Sequence, residues 1–144
     1  MVVAADTSFL FSLYGNDCNT GQAVAWCRDR SLAITIGPLN RFELINSLRF
    51  AECRHVLRPG EATANQLLFE QAIREGRLVE RKCNLADILA DAFQLSAAHT
   101  LTGGHRGFDI LQVAAARIMG ATHFLTFDGN QRRLAAAVGL DLPL

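Results

Sequence analysis

Val2-Val-Ala-Ala-Asp6-Thr-Ser-Phe-Leu10, near the start of the chain, is the stretch that sets the architecture. Val2 to Ala5 are small or β-branched apolar residues and read as a short buried strand. Asp6 ends that run, and a helical pattern follows through Phe9, Leu10, Leu13 and Tyr14, with Thr7 or Ser8 able to cap it. A strand that gives way directly to a helix is the unit of an α/β sheet. The same grammar returns at Leu32-Ala-Ile-Thr-Ile36, stopped by Gly37-Pro38, and at His123-Phe-Leu-Thr-Phe127, followed by Asp128-Gly-Asn.

Between these strands the pattern is helical. Asn16 to Gly21 reads as a polar loop, and Thr20 is placed to cap a helix carrying Ala23, Val24, Trp26 and Cys27. A helix is expected from about Leu39 to Arg54, with Phe42, Ile45, Leu48 and Phe50 as its apolar stripe. Arg58-Pro59-Gly60 breaks the chain. Glu61 to Glu75 is helical with Ala62, Leu67, Leu68, Ala72 and Ile73 inward, and Leu78 to Cys83 alternates as an edge strand. Asn84 caps a helix through Leu85, Ile88, Leu89, Ala92, Phe93 and Leu95. Thr100 to Gly107 reads as a glycine-rich loop. Phe108 to Met119 is so apolar that burial on several sides is expected; a helix at Asn130 to Val138 and a short strand at Asp141 to Leu144 complete the chain. Helices alternating with short apolar strands imply a mostly parallel sheet with helices on both faces. Nothing divides residues 1–144, which read as a single domain.

Half of the 144 residues are hydrophobic and 19% are charged, a globular composition and not that of a disordered tail. No apolar run is long enough to cross a bilayer, and the N-terminus lacks a basic n-region, so a cytoplasmic protein is expected. Cys18, Cys27, Cys53 and Cys83 are too dispersed for a zinc site or a disulfide framework, and read as small buried residues of a reducing compartment. The net charge is zero, so no global field draws in a polyanion, and a nucleic acid would need a local patch or a bound cation. Zero net charge with an apolar composition also favours self-association or a permanent partner.

Four acids stand out: Asp6, Glu43, Asp109 and Asp128. Asp6 and Asp128 end strands whose carboxyl ends share one edge of a parallel sheet, where ligands bind. Asp109 opens the most apolar helix, and Glu43 lies near the start of a helix that follows another strand. Each has an ordinary reading alone: an aspartate caps a helix, and a glutamate on a helix is solvated. Gathered at one edge they would repel each other unless a cation joined them, which outlines a site for magnesium.

At these residues the chain resembles the PIN-domain ribonucleases, and within them the VapC-type toxins of toxin–antitoxin pairs. Val2-Val-Ala-Ala-Asp6-Thr7-Ser8 is similar to the family's opening, and Arg41-Phe-Glu43-Leu-Ile-Asn-Ser-Leu48 to the segment with its acidic helix residue. Gly107-Phe-Asp109-Ile-Leu-Gln-Val-Ala-Ala-Ala116 resembles the third acidic motif, and Phe124-Leu-Thr126-Phe-Asp128 the fourth. The resemblance spans nearly the whole chain and implies a PIN-like three-layer α/β/α sandwich. It implies a metal-dependent endoribonuclease in which Asp6, Glu43, Asp109 and Asp128 are catalytic, with Asp6, Asp109 and Asp128 holding Mg2+ or Mn2+. Ser8 and Thr126 become the hydroxyls that orient them. A homodimer silenced by a cognate antitoxin is implied as well.

Arg132 and Arg133, just after the Asp128 turn, are candidate RNA contacts, and His105 and Arg106, just before Asp109, are others. A nucleotide loop at Gly103-Gly-His-Arg-Gly107 is excluded, because it follows a helix and lacks the required glycine order. A phosphoaspartyl phosphatase is excluded by Ser8, which stands where a second aspartate is needed. The rival reading is a non-catalytic PIN-fold module that binds RNA or protein without cutting.

Overall fold

The computed structural model describes residues 1–144. Its strands are β1 (Val3–Ala5), β2 (Ile34–Ile36), β3 (Leu78–Glu80) and β4 (His123–Leu125). Its helices are α1 (Thr7–Tyr14), α2 (Thr20–Arg28), α3 (Pro38–Cys53), α4 (Glu61–Arg74), α5 (Leu85–Gly103), α6 (Gly107–Ile118) and α7 (Gly129–Ala137). The four strands pair in parallel in the order β3-β2-β1-β4. The chain thus builds the sheet outward from β1 to β3, then returns to place β4 on the other side of β1. That reversal opens a crevice at the carboxyl ends of β1 and β4, the usual ligand position in an open parallel sheet.

Side-chain alternation assigns the two helical layers. Val3, Ala5, Ile34, Ile36 and Leu125 face a core built with Phe9, Trp26, Leu44, Leu48, Phe69 and Ala72 from α1 to α4. Ala4 and Phe124 face the opposite core, with Ile88, Val113, Ala114, Ala115 and Leu134 from α5, α6 and α7. The result is a PIN-like three-layer α/β/α sandwich. β1 is covered on both faces, so it tolerates only apolar residues, whereas edge strand β3 buries Leu78 and exposes Val79 and Glu80. Phe9, fully buried, stacks on Phe127 at 5.7 Å and meets Trp26 edge-on at 6.0 Å, tying α1 to α2 and to the turn after β4.

Several local expectations change. Asp6, not Thr7 or Ser8, is the N-cap of α1, and α2 starts after Asn19 with no side-chain cap. Thr20 instead donates to the Ser12 carbonyl and accepts from the Asp17 amide. α3 buries Asn40, Leu44, Leu48 and Ala51 and leaves Phe42 and Phe50 exposed; α4 buries Phe69 and exposes Leu67 and Leu68. α5 extends to Gly103, shortening the expected loop after Thr100 to three residues. The final strand is only a bridge between His123 and Asp141. None of the four cysteines is buried: Cys18 and Cys53 are exposed, and Cys27 and Cys83 half-buried.

Candidate active site

Asp6 follows β1 directly, and its amide still bonds to the Leu125 carbonyl, extending the β1–β4 ladder by one residue. Its carboxylate is fully buried. It accepts from the Phe9 amide at 2.9 Å, from the Ser8 hydroxyl at 2.7 and 2.9 Å, and from the Thr126 hydroxyl at 2.5 Å. Burial pushes its pKa up to about 6, and the charge of Asp128 adds to the push, while the bonds from Thr126, Phe9 and Ser8 oppose it.

The two hydroxyls do more than donate. Thr126 Oγ1 accepts from the Asp128 amide at 3.0 Å, and Ser8 Oγ accepts from the Phe127 amide at 2.9 Å. Together they lace the start of α1 to the turn after β4. Both hydroxyls expected to orient the acids therefore act on Asp6.

Asp128 is the N-cap of α7, and its Oδ1 accepts from the amides of Asn130 (2.8 Å) and Gln131 (2.9 Å). Asp109 lies in the first turn of α6 with 14% of its side chain exposed. Arg106 joins the two: Nε is 3.2 Å from Asp109 Oδ2 and Nη2 is 3.9 Å from Asp128 Oδ2. Gln131 joins them a second time, because its Nε2 donates to Asp109 Oδ1 at 3.3 Å.

Glu43 is held separately. Its Oε2 accepts from the Thr7 hydroxyl and from Gln112 Nε2 at 2.5 Å. Gln112 Oε1 accepts from Asn40 Nδ2, which also donates to the Ala5 carbonyl at 2.8 Å, and Asn40 Oδ1 accepts from the Gly37 amide. This buried amide chain runs from the end of β1 through α3 to α6.

All four acids thus reach the carboxyl edge, but no three carboxylate, imidazole or thiolate side chains converge as a metal-holding group. Asp6 is turned into its hydroxyls, Glu43 onto an amide, and Asp109 and Asp128 share a guanidinium. In chemistry the donor set suits a hard divalent cation: carboxylate oxygens, with the Gln131 Oε1, buried beside Asp109, left without a partner.

The expected RNA contacts are placed unevenly. Arg132 bonds to the carbonyls of Thr126 and Leu144, and Arg133, more exposed, to Asn130 Oδ1. His105 is buried, its ring packed where a side chain on Gly103 would sit, and so is not presented to a strand at the surface. Two residues escape the sequence reading, Gln112 and Gln131; Arg106, a candidate phosphate contact by sequence, pairs with Asp109 and Asp128 instead. Gln112 did leave a signal, as the lone polar residue inside the apolar run of α6. Gln131 left none, because it sits among Asn130, Arg132 and Arg133 like any solvated residue.

No protein-family model matches the sequence, and neither does any curated protein. Solved structures do match. VapC20 of Mycobacterium tuberculosis, a sarcin-ricin loop cleaving toxin, superposes with a TM-score of 0.68 at 20% identity over 96% of this chain and 95% of that one. FitAcB from Neisseria gonorrhoeae gives a TM-score of 0.62 at 15% identity, covering 98% of this chain and 96% of its own. PAE2754 from Pyrobaculum aerophilum gives 0.61 at 18% identity, covering 99% and 89%. At such identities the likeness is one of fold, and it leaves almost none of the chain out. Over nearly its whole length this chain folds as these three proteins do, as a PIN-like three-layer sandwich.

Proposed function

We propose that the chain is a divalent-metal-dependent endoribonuclease of the PIN type and the toxin of a toxin–antitoxin pair. The observation that carries the reading is the placement of Asp6, Asp109 and Asp128 around the crevice where the strand order reverses. The fold shared with a toxin described as cleaving the sarcin-ricin loop supports an RNA phosphodiester as the substrate class.

Asp6, Asp109 and Asp128 would hold Mg2+ or Mn2+, which supplies positive charge at the phosphate and acidifies an attacking water. The protein's own part is positioning. Ser8 and Thr126 keep the Asp6 carboxylate aimed and hydrogen-bonded within a buried setting. Thr7 and Gln112 both engage Oε2 of Glu43, which leaves Oε1 to orient a water and accept its proton. Arg133 lies on α7 beside the Asp128 turn and is the better placed of the two arginines to meet a backbone phosphate.

A homodimer and an antitoxin partner belong to the same reading. Exposed apolar side chains on α3 and α5, including Phe42, Phe50 and Phe93, support a protein partner. An RNA substrate and four free thiols suit the cytoplasm. The second reading, a PIN-fold module that binds without cutting, is favoured by one observation: the carboxylates do not converge as a metal group. RNA cleavage in magnesium or manganese that stops in excess chelator is expected. Cleavage that persists fully in chelator defeats the metal reading, and RNA binding with no cleavage under any metal supports the module.

A further inference from the structure

Arg106 is the only basic side chain paired with any of the four acids of the carboxyl edge. Its position is not one that local preference selects. It occupies the N-cap of α6 in extended conformation (φ −81°, ψ 154°) and makes no capping bond with its side chain. N-caps favour Ser, Thr, Asp or Asn, and a cation at a helix N-terminus opposes the helix dipole. Two contacts hold the guanidinium there, a local one to Asp109 three residues on in the same helix and a tertiary one to Asp128.

Two further features frame this contact. The guanidinium side chain is 76% exposed, so it can leave without opening the core. Before it stand Gly104 in the left-handed region (φ +65°) and the buried His105; after it stands Gly107, the first residue of α6. Meanwhile Gln131, itself buried, holds Asp109 by Nε2 from the far side while its Oε1 has no partner. Asp109 is thus tied to α7 by a bond that does not depend on Arg106.

We propose that Arg106 is an internal counter-ion that competes with a divalent cation for Asp109 and Asp128. The inference rests on the metal-site reading above and adds a control to it. Two carboxylates drawn toward one point repel each other, and a guanidinium between them relieves that repulsion. A divalent ion that takes both carboxylates must displace Arg106, so each binding event carries the cost of breaking its contacts. Gln131 keeps Asp109 near Asp128 while the arginine swings out. The chain thereby sets its own metal requirement, holding the site filled by its own arginine until the ion is abundant enough to displace it.

The test is calorimetric titration of the intact protein with Mn2+, without RNA and at low ionic strength, for the wild type, Arg106→Ala and Arg106→Gln. Arg74→Ala, which removes an exposed arginine with no ion pair, controls for net charge. Both Arg106 variants are expected to bind Mn2+ about three- to tenfold more tightly than the wild type, a range consistent with exposed pairs worth up to about 1 kcal/mol each. Arg74→Ala is expected to match the wild type. If the wild type binds Mn2+ and both Arg106 variants bind it equally or more weakly, the competition is refuted while the metal site stands. An equal gain in Arg74→Ala refutes it too, by assigning the effect to net charge. If no protein binds Mn2+, the metal-site reading fails and takes this inference with it.

Discussion

Asp6 and the Asp109–Asp128 pair share one sheet edge, yet their charge is contained in opposite ways. Asp6 is fully buried and meets no cation; three hydrogen-bonding groups serve it, and its pKa rises to about 6. Asp109 and Asp128 are part-exposed and meet a guanidinium. Burial makes Asp6 geometrically rigid but energetically costly in its charged form. Partial exposure and a shared guanidinium leave the other two able to exchange partners. A site assembled from both has a fixed anchor and an exchangeable rim.

The largest effect that tests this contrast is catalytic. Asp6→Asn, Asp109→Asn and Asp128→Asn should each reduce RNA cleavage by at least about 10²-fold, with circular dichroism unchanged. Asparagine caps a helix about as well as aspartate, so three variants with wild-type cleavage would return all three residues to capping alone.

The next effect separates the anchor from the rim by pH. Because the folded pKa of Asp6, about 6, lies above the ordinary aspartate value of 3.8, the folded state binds the extra proton. Its contribution to stability is complete below about pH 4 and is lost as the pH rises through 6, up to about 3 kcal/mol in all. Urea denaturation in chelator should therefore find Asp6→Asn more stable than the wild type at pH 7 and no more stable at pH 4. A gain of the same size at both pH values would break the contrast.

A smaller effect concerns the amide chain behind Glu43. Gln112→Leu removes the donor to Glu43 and an acceptor of Asn40, and should destabilise the fold by about 1–3 kcal/mol. Cleavage should fall further than this loss of folded protein explains. A variant as stable and as active as the wild type would make the chain incidental.

The smallest effect concerns two arginines whose side chains bond to none of the four carboxylates. Replacing Arg132 and Arg133 by Ala should lower the salt slope of RNA binding by about 1, because Arg132 already serves two carbonyls and Arg133 is the freer of the two. Mn2+ affinity measured alongside should not move. Unchanged RNA affinity and slope would make both arginines ordinary surface residues.

Local pattern alone determined the alternation of strands and helices, the mostly parallel sheet, the position of Asp6 at a strand end and that of Asp128 just before a helix. These follow from periods of about two and 3.6 residues, which a sequence displays directly. It also marked Asp109, since an acid opening so apolar a helix is conspicuous. Which apolar face turned inward was not legible: α3 and α4 each offer two plausible stripes, and only docking against the sheet chose Leu44 over Phe42 and Phe69 over Leu68. The partners of the acids were beyond the sequence for a related reason. Thr7 meets Glu43 across 36 residues and Thr126 meets Asp6 across 120, and a side chain's partner at such separations is set by how elements pack, not by its neighbours in the chain. Tertiary structure likewise buried His105 and set Arg106, one residue later, between two carboxylates, because the short turn before α6 directs successive side chains to opposite environments.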